Sequence, residues 1–296
     1  MRGGRRRRGF PRHSGRGGKI VFSFGVRERM VSLGPDAVEN RRRIEGDMNT
    51  MIHVEGLKVT YGRGAHRVPA VQDVTFDVGE GECVGFIGAN GAGKSTTMKA
   101  LMGFLYADAG VATVCGHPAG APEGRRSVGY LPEVAVYYPF MKARELLELY
   151  GTLGGMSRRD LRARIPEVLE EVGLPGRGNE LLRTFSKGMQ QRLGIAQALV
   201  ARPRLLVLDE VSSGLDPLGR HDLRILLHRL KSNGCTLFFS SHELSEVESL
   251  CNRILMIDRG RIIREIAQRD LQAIGHERSL ESFFISVVRG EAPRHG

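Results

Sequence analysis

A glycine-rich run has the sequence Gly88-Ala89-Asn90-Gly91-Ala92-Gly93-Lys94-Ser95-Thr96. It fits the pattern G-x-x-x-x-G-K-S/T, which forms a phosphate-binding loop when it joins a strand to a helix. The apolar run at 83–87 predicts that strand, and residues 95–102 predict that helix. We therefore expect residues 88–96 to surround phosphate oxygens, with Lys94 on the β- and γ-phosphates and Ser95 on Mg²⁺. The alternative, an exposed glycine-rich turn, weakens with each motif found downstream.

Two carboxylates, Asp209 and Glu210, follow the wholly apolar run Leu205–Leu208. Such a run is typical of a central strand in a parallel sheet, and ligands bind at the carboxyl ends of those strands. Adjacent acids at a strand end repel each other unless a cation lies beside them. We therefore expect Asp209 to hold Mg²⁺, mostly through water, and Glu210 to polarise the attacking water. The alternative is a surface turn with two acids, which fits poorly after an apolar strand.

Alternating apolar residues predict two half-buried strands, Ile52–Val59 and Val71–Val78, which should form an antiparallel edge before the phosphate loop. Further strands are predicted at 111–114, 127–131, 205–208, 236–240 and 254–257, and helices at 217–231 and 242–250. Strands that alternate with helices indicate an α/β fold with a parallel sheet. The predicted fold is a P-loop NTPase core with a mostly parallel sheet, an antiparallel β edge and an inserted helical subdomain.

The inserted helical subdomain is predicted at about 134–200. Breaks in its helices are expected at Gly151–Gly155, at Pro166 and at Leu174–Gly178, since glycine and proline interrupt helices. Near its end, Ser186 is expected to cap a helix that runs to Val200, and Gly188 allows a phosphate to approach closely. By itself this is an ordinary helix start. Its position just before the strand that ends in two acids favours a phosphate contact.

The formal net charge of +11 is concentrated at the N-terminus, because residues 1–48 carry 13 Arg or Lys and five Asp or Glu. The remainder of the chain is close to neutral. We predict that residues 1–48 are a disordered extension, since Arg- and Gly-rich sequence offers no apolar face to pack. One alternative is an arm that binds RNA or lipid headgroups. Another is an upstream extension that the working protein lacks, because Met30, Met48 and Met51 are all possible starts.

The four cysteines, Cys83, Cys115, Cys235 and Cys251, are widely spaced and form no C-x-x-C pair. Two lie in apolar runs, which indicates reduced, buried thiols in a cytosolic protein. No apolar run approaches 18 residues, so no transmembrane helix is predicted. The short apolar run at 20–26 is followed by charged residues instead of a cleavage site, which argues against a signal peptide.

Six ordered motifs resemble those of the ATP-binding subunit of ABC transporters, and the resemblance covers about residues 52–265. They are the phosphate loop, the family's glutamine loop at Gly129–Glu133, the signature at Phe185–Met189, the Mg²⁺ strand at Leu205–Glu210, the D-loop at Ser213–Asp216 and the switch histidine at His242. The domains implied are an ATP-binding domain at 49–265 and a short C-terminal tail at 266–296. The chain departs from the family pattern at Glu133, Lys187, Met189 and Val211.

The resemblance implies roles for individual residues. Catalysis falls to Glu210, His242 and Lys94, and metal binding to Ser95, Asp209 and Glu133. Nucleotide contacts fall to Tyr61, which stacks on adenine, to the phosphate loop, and to Glu133, Ser186, Gly188 and Asp216. Alternatives remain for three of them: Tyr61 as strand-end packing, Asp216 as a helix cap before Pro217, and His242 as a polar residue at a helix start.

The function implied is ATP hydrolysis by a head-to-tail homodimer that drives a transmembrane permease on a separate chain. The departures from the signature favour export, and the location implied is the cytoplasmic face of the cell membrane. ATP and Mg²⁺ are the implied cofactors, and no nucleic acid is expected. A soluble ABC ATPase that acts on nucleic acid or ribosomes is the main alternative. A P-loop kinase or small GTPase would leave Ser186–Gln191 and His242 without an explanation.

The run Val134–Met141 is almost entirely apolar or aromatic and contains Pro139. Eight such residues in a loop cannot all face inward, so part of the run is expected to form an exposed apolar patch. In the family that the chain resembles, this region lines the groove that receives a short helix of the membrane subunit.

Overall fold

The structure is a computed structural model, and it describes residues 49–62, 64–241, 244–270 and 279–290. The predicted N-terminal extension, residues 1–48, and the predicted switch histidine, His242, lie outside the described residues. Within the described ranges, no helix has both the length and the apolar character needed to cross a membrane.

The described strands form one ten-stranded sheet, in the order β5-β4-β1-β2-β10-β9-β3-β8-β7-β6. The strands are β1 (Thr50–Tyr61), β2 (Val68–Gly79), β3 (Cys83–Ile87), β4 (Ala109–Val114), β5 (His117–Pro118), β6 (Val128–Leu131), β7 (Leu205–Leu208), β8 (Thr236–Ser240), β9 (Arg253–Asp258) and β10 (Arg261–Ala267). Strands β9, β3, β8, β7 and β6 are parallel neighbours. Strands β1, β2, β4 and β5 pair antiparallel, which confirms the predicted β edge.

Helices connect many of the strands, and a group of three helices is inserted in the chain between β6 and β7. The helices are α1 (Lys94–Leu101), α2 (Pro122–Arg125), α3 (Ala143–Leu153), α4 (Arg158–Glu171), α5 (Lys187–Leu199), α6 (Pro217–Ser232), α7 (Leu244–Leu250) and α8 (Leu280–Arg289). Helices α3, α4 and α5 make up the inserted helical subdomain. The fold is therefore an α/β P-loop NTPase core, as predicted.

Three phenylalanine rings join the antiparallel edge to the parallel core. Phe76 on β2, Phe86 on β3 and Phe238 on β8 are all buried, and their ring centroids lie 5.4–6.0 Å apart. Rings at this separation gain packing energy beyond the area that they bury. The contact holds the antiparallel edge against the strand that leads into the phosphate loop.

The predicted helix break at Pro166 is wrong, because α4 continues through it from Arg158 to Glu171. Ile165, Val168 and Leu169 are buried on one face of α4, and this packing favours a continuous helix. Pro166 lies on the exposed face of α4, where the carbonyl of Arg162, which loses its N–H donor, is accessible to water. The breaks predicted at 151–155 and 174–178 are confirmed, since α3 ends at Leu153 and α4 at Glu171.

The last part of the chain contains two elements that the sequence analysis did not predict. Strand β10 pairs antiparallel with β9, and α8 packs Leu280, Phe283 and Val287 into the core. The segment predicted as a short C-terminal tail therefore contains a helix, Leu280–Arg289, with a buried face.

A partly buried ion pair fixes the start of β3 against the start of β9. Arg253 donates to both carboxylate oxygens of Glu82, at 2.7 and 2.8 Å, and also to Glu265 at 2.7 Å. Burial would raise the pKa of Glu82, but hydrogen bonds from Arg253 and from the Gly79 N–H hold that pKa below its ordinary value. Because the folded pKa is depressed, the pair stabilises the fold above the ordinary pKa of 4.5 and loses this contribution as the pH falls.

Glu82→Gln should therefore lower the free energy of unfolding by about 1.5–3 kcal/mol at pH 7, because a charge-assisted pair is lost at a partly buried site. Glu265→Gln is the matched control: it removes a carboxylate from the same arginine at an exposed position, and should cost about 0–1 kcal/mol. Urea unfolding at pH 7 and pH 4 measures both. An equal effect of the two variants, or a Glu82→Gln effect that grows at low pH, would contradict this account.

Candidate active site

The phosphate loop leaves β3 after Ile87 and enters α1 at Lys94. Two of its glycines have positive φ, +78° at Gly91 and +115° at Gly93. A Cβ at position 93 would lie 2.7 Å from the carbonyl oxygen of Ala70, so only glycine fits there. The backbone therefore turns tightly into the start of α1, which is the geometry that directs N–H groups at an anion.

Lys94 is almost fully buried at the start of α1. Its Nζ donates to the carbonyl oxygen of Gly88 at 2.8 Å and lies 3.3 Å from Oε1 of Glu210. A buried ammonium group needs such partners, since moving an unpaired charge out of water has a large unfavourable free energy. The lysine is thus held at the mouth of the loop, facing the acids at the end of β7.

The two acids lie at the carboxyl end of β7, where both are buried. Asp209 accepts a hydrogen bond from Oγ of Ser95 at 3.0 Å, so the phosphate loop and the acid strand meet. Glu210 has a φ of +50°, an unusual conformation for a residue other than glycine. Backbone strain of this kind persists only where neighbouring contacts impose it, and it concentrates at functional sites.

Ser240, at the end of β8, supplies one of these contacts, and the sequence analysis missed it. Its Oγ donates to Oδ1 of Asp209 at 2.8 Å and accepts from the Glu210 N–H at 2.9 Å. One buried hydroxyl therefore holds the carboxylate of Asp209 and the backbone of Glu210. The available signal was a small polar residue at the end of a predicted strand, in register to reach the neighbouring strand end.

The phosphate loop and Glu210 border an open cleft of about 630 Å³. Its lining comprises Tyr61, Ala70, Asn90, Gly91, Gly93, Lys94, Ser95, Thr96, Glu133, Glu210 and Ser213. The hydroxyl of Tyr61 lies 3.3 Å from Oγ1 of Thr96, and the residue is 42% exposed at the edge of the cleft. The structure thus brings Tyr61 and Glu133 to the phosphate loop and to the acids, as a shared nucleotide site requires.

Of the nucleotide contacts predicted outside the phosphate loop, three do not line this cleft: Ser186, Gly188 and Asp216. Ser186 caps α5 by accepting from the Met189 N–H at 3.2 Å, and Asp216 caps α6 by accepting from the Gly219 N–H at 2.8 Å. Both capping interpretations are therefore present in the structure. Ser186 is exposed, so its hydroxyl remains accessible to a second molecule.

The oxygen atoms at the bottom of the cleft suit a magnesium ion. Ser95 offers a hydroxyl and Asp209 a carboxylate, and Mg²⁺ prefers a few hard oxygen ligands that it completes with water and phosphate. Across the described residues, no cluster of three or more His, Cys, Asp or Glu side chains could hold a metal alone. The donor set fits an ion that is shared with a nucleotide.

Tyr130 on β6 lies within the electrostatic reach of this site. Burial raises the pKa of its hydroxyl, and the negative charge of Asp209 raises it further. Tyr130 therefore stays neutral across the physiological range.

The chain is similar in sequence to several ATP-binding proteins. The sequence model of the ABC transporter family matches residues 71–213. An uncharacterised ABC transporter ATP-binding protein of Synechocystis is 37% identical over 244 residues, covering 82% of this chain and 69% of that protein. The linearmycin resistance ATP-binding protein LnrL of Bacillus subtilis is 36% identical over 223 residues, which cover 75% of this chain and 70% of that protein. The Nod factor export ATP-binding protein I of Cupriavidus pinatubonensis is 38% identical over 203 residues, which cover 68% of this chain and 62% of that protein.

Solved structures show the same likeness. The structure of an ATP-binding subunit of an ABC transporter aligns with a TM-score of 0.71 at 32% identity, covering 81% of this chain and 100% of that one. A dimeric ATP-binding cassette in a post-hydrolysis state, bound to ADP and Pi, aligns with a TM-score of 0.68 at 25% identity, covering 74% and 99%.

The phosphate loop, the acid strand end and these similarities define an ATP-binding cassette, an enzyme that hydrolyses ATP. The chain belongs to the family of ABC transporter ATP-binding proteins.

Glu210→Gln should retain ATP binding, because the side chain keeps its shape, but should lower ATP turnover by about 100-fold or more, since the carboxylate expected to polarise the attacking water is lost. It should also accumulate as an ATP-bound dimer on size exclusion. Phosphate release measures turnover, and Glu170→Gln, an exposed acid on α4, is the control. Turnover within a few-fold of the wild type would remove Glu210 from this role.

Ser240→Ala should lower kcat by roughly 10- to 100-fold, because the orientation of Asp209 and Glu210 is lost. It should also raise the Mg²⁺ concentration needed for half-maximal activity, an effect that simple destabilisation would not produce. Ser232→Ala, at the exposed end of α6, is the matched control. Unchanged Mg²⁺ dependence at full activity would show that Ser240 has no part in holding the acids.

Proposed function

We propose that this chain powers a separate transmembrane permease by hydrolysing ATP, and that the transport it drives is export. The observation that carries the proposal is the meeting of Lys94 and Ser95 with Asp209 and Glu210 at one cleft. The direction of transport is supported by two relatives, whose names state linearmycin resistance and Nod factor export. The chain would act at the cytoplasmic face of the membrane, where the permease presents its loops.

In this proposal each residue of the cleft has a distinct task. Lys94 binds the β- and γ-phosphates, and Ser95 and Asp209 hold Mg²⁺, which neutralises charge on the phosphates. Glu210 orients and polarises the attacking water, while Tyr61 stacks on adenine and Glu133 approaches the metal. His242 would contact the γ-phosphate. Positioning and electrostatic stabilisation account for most of the catalysis in phosphoryl transfer, and the buried, pre-oriented acids suit it.

A second copy of the chain completes the site. Ser186 and Gly188 do not reach the cleft of their own subunit, and Ser186 is exposed at the start of α5. In a head-to-tail homodimer they would cover the nucleotide held by the partner, and Asp216 would lie nearby. The dimeric state of the structurally similar cassette with ADP and Pi supports this arrangement.

The permease would dock on the exposed part of the run Val134–Met141. Val134, Val136, Tyr138 and Phe140 are 66–86% exposed, whereas Ala135, Tyr137 and Met141 pack against the core. The predicted division of this run into core and exposed patch is therefore confirmed. The rings of Tyr138 and Phe140 lie 5.6 Å apart, and exposed aromatic pairs are frequent anchors in protein interfaces.

Tyr138→Ala and Phe140→Ala should each leave the ATPase activity of the isolated chain within about twofold of wild type, because neither residue lines the cleft. Each should lower the ATP-dependent transport of a reconstituted permease complex by about tenfold or more, since an interface anchor is worth at least ~1–2 kcal/mol. Leu218→Ala, equally exposed on α6, is the matched control. Normal assembly and transport by both aromatic variants would place the docking site elsewhere.

A further inference from the structure

A groove of about 770 Å³ adjoins the exposed run. Helices α1 and α2 and strand β6 form one wall, and α3 and α5 form the other. Most of its lining is apolar or aromatic, including Phe104, Val136 and Leu153. Its charged residues are Lys99, Arg125 and Arg126, which we call the cation rim. No Asp or Glu is among the residues that line the groove.

The cation rim has no counter-charge of its own within the part of the chain that the structure describes. None of its three side chains forms an ion pair or a side-chain hydrogen bond there. Other arginines are paired, for example Arg192 with Asp222 at 2.6 Å and Arg164 with Glu171 at 2.6 Å. A neighbouring acid, Glu123 on α2, is exposed and does not line the groove.

An occupant that covers the groove must deal with these charges. Cations that lose their water without gaining a partner are strongly unfavourable, so a neutral or basic segment would bind poorly. A carboxylate facing each arginine would replace the lost water with a charge-assisted hydrogen bond. The apolar remainder of the groove suits the apolar face of a helix, in the helix-in-groove mode of recognition.

We propose that the groove selects its permease by charge: the docked segment is a short amphipathic helix of the membrane subunit that presents carboxylates to Arg125 and Arg126. This inference rests on the proposed function, because it takes the groove as the docking site. An anionic lipid headgroup would match the arginines but would leave the apolar lining uncovered. The charge match also excludes permeases with basic segments, which is how one ATP-binding subunit avoids the wrong partner.

The test is charge reversal in the full chain, co-expressed with the permease that assembles with it. R125E/R126E should lower the amount of permease recovered by roughly tenfold or more, since close charge pairs at interfaces couple strongly. ATPase activity of the isolated chain should stay within about twofold of wild type. R158E/R159E is the matched control, because these adjacent arginines on α4 are also exposed and do not line the groove. R125Q/R126Q, a milder change, should lower recovery in the same direction.

A charge swap then identifies the partner group. First, a photo-crosslinking residue in place of Val136 identifies the permease segment that occupies the groove. The Asp and Glu residues of that permease segment are then replaced by lysine. This permease should assemble poorly with the wild-type chain and well with R125E/R126E. Recovery by the swap supports the proposal, and failure of the swap to restore assembly overturns it.

The remaining outcomes separate this inference from the function on which it rests. If Tyr138→Ala abolishes coupling but R125E/R126E assembles normally, docking stands and the charge selection is wrong. If neither change affects assembly, the docking site itself is wrong. Sedimentation with phosphatidylglycerol or phosphatidylcholine vesicles without permease tests the lipid alternative. Binding to the anionic vesicles alone that is lost in R125E/R126E, with normal permease assembly, would assign the rim to lipid.

Discussion

The buried pair of Lys94 and Glu210 is the interaction on which the site depends. Both side chains are less than a tenth exposed, and Nζ lies 3.3 Å from Oε1. Taking two charges out of water is unfavourable unless the protein supplies partners, and the partners here come from two strand ends and the phosphate loop. Gly88 offers a carbonyl to Lys94, and Ser240 orients the backbone of Glu210. The arrangement is stable only in a fold that brings these strand ends together.

The parallel register of the sheet meets that requirement. Strand β3 lies between β9 and β8, and β7 pairs with β8 on the other side, so the phosphate loop and the acids leave the same edge. The antiparallel edge then supplies Tyr61 at the side of the cleft. The inserted helices stand apart from this edge and carry Ser186 away from the cleft of their own subunit. This separation is what makes a second copy part of the proposed catalytic unit.

Much of this was predictable from the sequence, for physical reasons that differ between residues. The phosphate loop and the strand before Asp209 are local patterns, because the chemistry of a phosphate cradle demands glycines at set spacings. Pro166 misled the prediction, since burial of Ile165 and Val168 outweighs one missing hydrogen bond. Helix α8 was missed because its buried face is short.

Other features depend on contacts between distant segments and carry no local signal. Nothing in the local sequence distinguishes Ser240 from other serines, because its contacts with Asp209 and Glu210 form only when β8 pairs with β7. The cation rim combines Lys99 of α1 with Arg125 and Arg126 at the end of α2, and these residues meet only in the folded groove.

The central claim is that Lys94 binds the phosphates of ATP, and equilibrium binding of ATP to Lys94→Ala tests it most directly. We predict a dissociation constant about 10- to 100-fold higher than that of the wild type, the range expected when a charge-assisted contact is lost. Lys99→Ala, on the same helix but in the groove, should bind ATP like the wild type. Equal affinity of Lys94→Ala and wild type, in a chain with an unchanged melting temperature, would contradict the account.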